Sequence, residues 1–341
     1  MARTWYEDPR ADTSQIVSSR IRLARNLQAY HFSRKIGADQ ATELVAHAQA
    51  AAQHARETSQ LTYTDVAKLP DIMKAAMLER HIISAEMLAK PTCGLLSSAD
   101  SALAIMLNEE DHIRIQSFRT GDDIDTAFEV AELTDNALER TLDYAYSKDL
   151  GYLTSCPSNT GTGLRASFMV HLPLLERSSQ LRNMVSVLTK FGMTIRGVFG
   201  EGSESAGAFY QISNQVTLGK PEQEIITTLK NITSQICEKE TLLLRRTLER
   251  EKHDLLDSVH RSRAILGSCR RISAKEAMSL LSYVRLGHAA DILEAPRPTR
   301  SLLSIMMNIR DANMQLLCDE DGYESLDICR AEYLRAIFGN A

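Results

Sequence analysis

No two cysteines in this 341-residue chain follow the C-x-x-C spacing, although six are scattered along it at positions 93, 156, 237, 269, 318 and 329. That distribution excludes a zinc ribbon and a dense disulfide framework, and it leads to an expectation of reduced thiols in a cytoplasmic protein. No apolar run reaches the length of a membrane span, and the opening MARTWYEDPR has acids and a proline where a secretory leader has an apolar core. An excess of basic charge is missing too. The 39 lysines and arginines face 44 acids for a net charge of -5, so no overall field draws nucleic acid or anionic membrane. Neither H-E-x-x-H nor G-x-S-x-G occurs, which removes the common zinc and nucleophile-elbow hydrolases.

What is present is an ordinary globular composition, 44% apolar and 24% charged, long enough for two domains. Helical spacing marks 37–57, 71–88 and 123–146. Alternation marks two strands within 102–118 around an acidic turn, and further strands at 165–173, 191–200 and 209–219, with a helix between the first two of these three. After Gly219 the character changes. One very long helix, or two end to end, is expected to 266, then a capping box at Ser273 and Glu276, then two further helices beyond EAPRPTR. The expected class is α+β, with a mixed domain at 1–220 and an all-helical domain at 221–341.

The stretch CPSNTGTGLRAS (156–167) combines a thiol, a glycine-rich turn and an arginine, yet Leu164 stands where a Walker loop has lysine. By itself this is equally a tight turn of small residues. Arg20 and Arg22 share one face of a strand, and Arg114, Arg165 and Arg196 each sit in or beside another apolar strand. An arginine on a covered sheet face needs an anion. Two sources remain open: phosphate oxygens gripped by several guanidinium forks, or nearby acids such as Glu109 and Asp111. Glu109, Glu110 and Asp111 crowd one turn and Glu201 and Glu204 another, either as solvated loops or as carboxylates offered to a cation. Cys156 reads as a small buried side chain or as a thiol activated by the turn.

Taken in order, VSSRIRLARNL, NEEDHIRI, CPSNTGTGLRAS and RGVFGEGSES followed by YQISNQVTLG resemble the phosphagen (guanidino) kinase family, above all its bacterial protein-arginine kinase branch. The resemblance implies a large antiparallel sheet flanked by helices, and a γ-phosphoryl transfer from ATP to a guanidinium. It implies that Arg20, Arg22, Arg114, Arg165 and Arg196 hold the ATP phosphates. Glu110 and Glu201 would clamp the acceptor guanidinium, Cys156 would lie beside it, and Mg2+ would ride on the nucleotide without a protein metal site of its own.

Metabolite-specific members carry a helical domain ahead of the first arginine motif, which here begins by residue 18. The expected acceptor is therefore an arginine side chain in a protein. The alternatives are a small-molecule arginine kinase or a non-catalytic phosphoarginine-binding adaptor of a Clp-type protease. Gln211 and Gly202 replace the aspartate and histidine of the metabolic enzymes, as in the protein-arginine branch. That branch's R-D-x-x-R-A motif for phosphoarginine reads LDICRA here, with Leu326 in place of arginine and Asp327 and Arg330 kept, so a weakened phosphoarginine site is expected. The resemblance also implies a stress-response setting, a homo-oligomer, and an activator protein, a stress-gene repressor and a Clp-type protease as partners, without direct nucleic-acid or membrane contact.

Overall fold

The computed structural model describes residues 3–199, 205–293, 301–318 and 325–339. In chain order its strands and helices are β1 (Ile16–Arg25), α1 (Ala38–His54), β2 (Thr62–Asp65), α2 (Asp71–Glu79), β3 (Gly94–Ser97), β4 (Leu103–Leu107), β5 (Ile113–Thr120), α3 (Ile124–Glu139), β6 (Tyr146–Ser147) and β7 (Gly151–Tyr152). Then come β8 (Leu164–His171), α4 (Pro173–Arg177), α5 (Gln180–Lys190), β9 (Met193–Phe199), β10 (Ser205–Asn214), α6 (Glu222–Arg250), α7 (Lys252–Ser268), α8 (Ala274–Ala289), α9 (Leu302–Asn308), α10 (Asp311–Cys318) and α11 (Leu326–Phe338). The large sheet has the order β2-β3-β4-β5-β1-β8-β10-β9, and β6 pairs with β7 in a separate ribbon. The pairs β2–β3, β3–β4, β4–β5 and β5–β1 are antiparallel. The expected class of antiparallel sheet with flanking helices therefore holds.

By its contacts the chain divides into two compact units. One comprises Met1–Trp5, Ser18–Ser167 and Ser213–Leu229, the other Tyr6–Val17, Phe168–Ile212 and Lys230–Ala341. This division differs from the compositional boundary near 220.

In the first unit, register decides what each face carries. Arg20, Arg22 and Ala24 stand opposite Phe118, Gln116 and Arg114, while Ile21, Leu23 and Arg25 stand opposite Ser117, Ile115 and Ile113. Directly opposed residues point to the same face. The second set is covered by α3, because Arg25 reaches Asp135 on that helix. Ile21, Leu23, Ile105, Ile113 and Ile115 are buried there, each stabilising the fold by roughly 1.5–3 kcal/mol. The opposite face carries the arginines, and toward β3 and β4 it is closed by an apolar cluster of Val66, Ile83, Met87, Leu95 and Met106.

The second unit is held by buried polar ties as well as by helix packing. The Asp12 carboxylate accepts the Leu302 N–H at the start of α9. Burial pushes the Asp12 carboxyl up to about 6. Glu240 of α6 accepts the N–H groups of Leu174 and Leu175 at the start of α4, each at 2.8 Å, and burial raises its carboxyl to about 7. His171 Nε2 lies 2.7 Å from Ser282 Oγ.

Several expectations change. The helix expected over 71–88 stops at Glu79, because His81 takes a left-handed φ of 59° and the chain continues as a 3-10 turn at Ala85–Ala89. The helix expected over 123–146 ends at Glu139, and Tyr146 enters β6. The segment before β9 is two helices broken at Ser179 (φ 57°). Of the two forms expected for the long helical segment after 220, the structure has two helices end to end, α6 and α7, parted at Glu251. Ser273 caps α8 as expected. Beyond it three helices lie among the described residues, where two were expected. Cys318 and Cys329, expected as free thiols, are joined by a disulfide between α10 and α11. No helix among the described residues is long and apolar enough to cross a membrane.

Candidate active site

Four of the five arginines singled out in the sequence meet on the face of the first unit's sheet that lies away from α3. Arg20 and Arg22 come from β1, Arg114 from β5 directly opposite Ala24, and Arg165 from β8. Arg20 Nε donates to Ser167 Oγ at 3.4 Å, and Arg165 Nη2 donates to Ser213 Oγ at 3.3 Å. Arg22, Arg114 and Arg165 line one cleft with Glu109, Glu110, Asp111, Asn159 and Gly163. The fifth, Arg196, is exposed on β9 in the other unit. Glu201 and Glu204 lie outside the described residues.

These cations crowd and repel one another. Burial pulls the Arg20 guanidinium down to about 9, helped by the charges of Arg114 and Arg165. Burial likewise lowers Arg22, with Arg20, Arg114 and Arg165 adding repulsion and Glu109 only partly offsetting it. Arg22 Nε is buried without an acceptor among the described residues. A buried donor left in that state costs about 1–3 kcal/mol, which an incoming anion recovers. The cluster therefore fits a polyanion such as a nucleotide's phosphates.

The acidic turn divides its labour. Glu109 is consumed structurally: its Oε1 pairs with Arg114 Nη1 at 2.5 Å and its Oε2 accepts the Glu110 N–H at 2.8 Å. Asp111 is also structural, accepting Asn26 Nδ2 at 2.7 Å and the Ser155 N–H at 2.6 Å. Glu110 is half-buried between them. Burial raises its carboxyl, and Asp111, Glu109 and Glu86 push in the same direction against Arg114. A carboxylate whose charge is penalised in this way attracts a cation and takes up a proton readily.

The glycine-rich loop acts through close packing. Gly163 has φ +65°, and a Cβ there would meet Ala24 O at 2.6 Å, while the Gly163 carbonyl accepts the Ala24 N–H at 3.0 Å. Arg25 Nη1 donates to Thr162 O at 2.9 Å, its guanidinium lies 3.6 Å from the centre of the Tyr152 ring, and Asp135 neutralises it. The loop thus locks β8 and its Arg165 beside the arginine strand β1. Cys156 opens the short 3-10 turn Pro157–Asn159, half-buried, with its Sγ 3.0 Å from Ser158 Oγ.

Sequence reasoning missed the third arginine of the first motif, Arg25, and the tie from Asp111 to Ser155. The signal for Arg25 was present in the alternation itself, since an odd position on β1 must face the helices. Nothing local marks the contact across 44 residues. In the second unit, Arg330 is fully buried and donates to Ile309 O, Ile272 O, Asp327 and Asp311. A phosphoarginine would reach its guanidinium only by displacing these bonds.

Comparison with known proteins identifies the family. Residues 43–243 match the ATP:guanido phosphotransferase C-terminal catalytic domain, and residues 252–341 match the protein-arginine kinase McsB C-terminal domain. A protein-arginine kinase of Halothermothrix orenii is 39% identical over 336 residues, covering 97% of this chain and 95% of its own length. One of Syntrophomonas wolfei is 39% identical over 339 residues, with 97% and 94% covered. Among solved structures, lombricine kinase matches with a TM-score of 0.60 at 25% identity, over 67% of this chain and 66% of that one. A taurocyamine kinase of Schistosoma mansoni with bound transition-state analogue components matches with a TM-score of 0.62 at 25% identity, over 72% of this chain and 37% of that one. The chain belongs to the ATP:guanido phosphotransferase family.

Proposed function

We propose that this chain is an ATP-dependent protein-arginine kinase that transfers the γ-phosphoryl group of ATP to arginine side chains of proteins. The observation that carries the reading is the cleft in which Arg22, Arg114 and Arg165 face Glu110, an anion site beside a carboxylate suited to a guanidinium. The relatives, protein-arginine kinases, supply the acceptor class.

In this reading Arg20, Arg22, Arg114 and Arg165 grip the phosphates, with Arg196 as a fifth hand inferred from family likeness. Their forks oppose the charge on the phosphoryl group as it moves. Glu110 orients the acceptor guanidinium in line and takes its proton, sharing the clamp with Glu201, again by likeness. Cys156 borders the acceptor. Magnesium, held by the nucleotide's own oxygens, supplies further charge neutralisation when bound. A guanidinium is cationic, delocalised and a poor nucleophile, which is why two acids and no covalent phosphoenzyme serve it.

The same proposal places the protein in the cytoplasm, in a stress response, as a homo-oligomer working with an activator, a repressor and a Clp-type protease. Family likeness alone supports that part. A weakened phosphoarginine site at Asp327 and Arg330 stands on the same footing, against the engaged donors described above.

Incubation of an arginine-rich protein with enzyme and Mg-ATP, read by fragment-ion mass spectrometry, tests the activity. Acid-labile phosphate on arginine is expected; phosphate confined to hydroxyl side chains, or turnover of free arginine alone, contradicts it.

A further inference from the structure

A second recess in the first unit, separate from the arginine cleft, is lined by Tyr30, His31, Phe32, Arg34, Lys35 and Ser155. Arg34 and Lys35 are exposed, and neither has an ion-pair partner among the described residues. Of the acids at its lining, Asp111 is buried and accepts the Ser155 N–H at 2.6 Å, and Glu43 accepts from the Tyr30 hydroxyl at 3.4 Å. At the floor, the Ser155 hydroxyl is buried and lacks a hydrogen-bond partner among the described residues. Two unpaired cations over a donor hydroxyl make a local site for a carboxylate on a chain whose net charge is -5.

The recess and the acceptor site share one frame. Ser155 immediately precedes Cys156, and its N–H is held by Asp111, the neighbour of Glu110. The next residue, His112, fixes the other wall. The Leu27 N–H donates to its Nδ1 at 2.9 Å, so Nε2 carries the proton and donates to His31 O at 3.0 Å. The rings of Tyr30 and Phe32 meet this imidazole edge-on at 6.2 and 5.9 Å. Burial lowers the His112 imidazole, so the wall stays neutral near pH 7. The recess thus stands one residue from the thiol and one hydrogen bond from the acidic turn.

We infer that this recess is a specificity subsite of the kinase, taking an acidic side chain of the protein substrate that flanks the target arginine. The inference rests on the protein-arginine reading above. An acceptor arginine in a polypeptide brings its neighbours to the surface around Glu110, and Arg34, Lys35 and Ser155 offer an aspartate or glutamate there two charges and a hydroxyl donor. Exposed pairs of this kind are weak singly and screened by salt, so the effect is one of preference rather than of permission.

The test uses three peptides of one background in which the arginine is flanked by glutamates, alanines or lysines. Phosphoarginine formation is measured as kcat/KM by mass spectrometry with the wild type, R34E/K35E and R34A/K35A. In the wild type, glutamate flanks are expected to outrank lysine flanks by about tenfold at low salt. R34E/K35E reverses the order, R34A/K35A flattens it, and both keep the alanine-flanked peptide within about twofold of wild type. An order unchanged by the substitutions, or no preference in the wild type, overturns the subsite. If the wild type phosphorylates no arginine in any peptide, the kinase reading itself fails and the subsite falls with it.

Discussion

Asp111 Oδ1 accepts the Ser155 N–H at 2.6 Å, joining the acidic turn before β5 to the loop that carries the thiol. The same oxygen holds the Asn26 amide at the end of β1, and Asp111 is 2% exposed. Arginine strand, acidic turn and thiol loop are therefore pinned at one carboxylate. Asp111→Ala leaves two buried donors without acceptors, and urea unfolding is expected to show a loss of about 3 kcal/mol. Asp111→Asn keeps one acceptor oxygen and is expected to lose less. Equal stability of wild type and alanine variant contradicts the pinning role.

Gly163 and Gly121 both have positive φ, +65° and +71°, but a Cβ at Gly121 meets nothing within 4 Å. Gly121→Ala is expected to cost about 1 kcal/mol of backbone strain. Gly163→Ala adds a collision with Ala24 O, and about 2–4 kcal/mol is expected, together with weaker ATP binding as β1 and β8 are pushed apart. Parallel thermal melts of the two variants separate strain from packing.

How much of this was legible in the sequence follows the range of each interaction. Alternation alone puts Arg20 and Arg22 on one face, and the register to Gln116 and Phe118 shows it to be the face away from α3. The acidic turn was visible, yet the separate duties of Glu109, Glu110 and Asp111 depend on Arg114, Asn26 and Ser155, which local pattern cannot supply. β2 and β3 went unread because Thr62–Asp65 is polar and each has only 4 residues. His81 and Ser179 break helices through left-handed φ, which glycine advertises and these residues do not.

Glu240 links stability to pH. Its carboxyl is raised from 4.5 to about 7 by burial, so the folded state keeps a proton that the unfolded state has lost. Its contribution is therefore fully present below pH 4.5 and falls as pH rises through about 7, by roughly 2–4 kcal/mol in all. Glu240→Gln removes that slope. Urea titrations at pH 5 and pH 8 should show the wild type losing more stability between them than the variant; parallel losses contradict the assignment.

Arg330 is buried against Asp311 and Asp327. Arg330→Ala leaves the Ile309 and Ile272 carbonyls without their donor, and a loss of about 2–4 kcal/mol is expected in the second unit. Free phosphoarginine should leave the wild-type Tm unchanged if the guanidinium is a structural tie. A Tm rising with phosphoarginine, and lost with Arg330→Ala, points instead to a ligand site.

The central claim is that the arginine floor binds nucleotide while Glu110 serves the acceptor. Calorimetric Mg-ATP titration of wild type, Arg22→Ala and Glu110→Gln, paired with phosphoarginine formation at saturating ATP, tests it most directly. Arg22→Ala is expected to weaken ATP binding by about 10- to 100-fold, whereas Glu110→Gln binds ATP within about twofold of wild type and forms phosphoarginine at least about 100-fold more slowly. Normal ATP affinity in Arg22→Ala, or undiminished phosphoarginine formation in Glu110→Gln, would contradict the account.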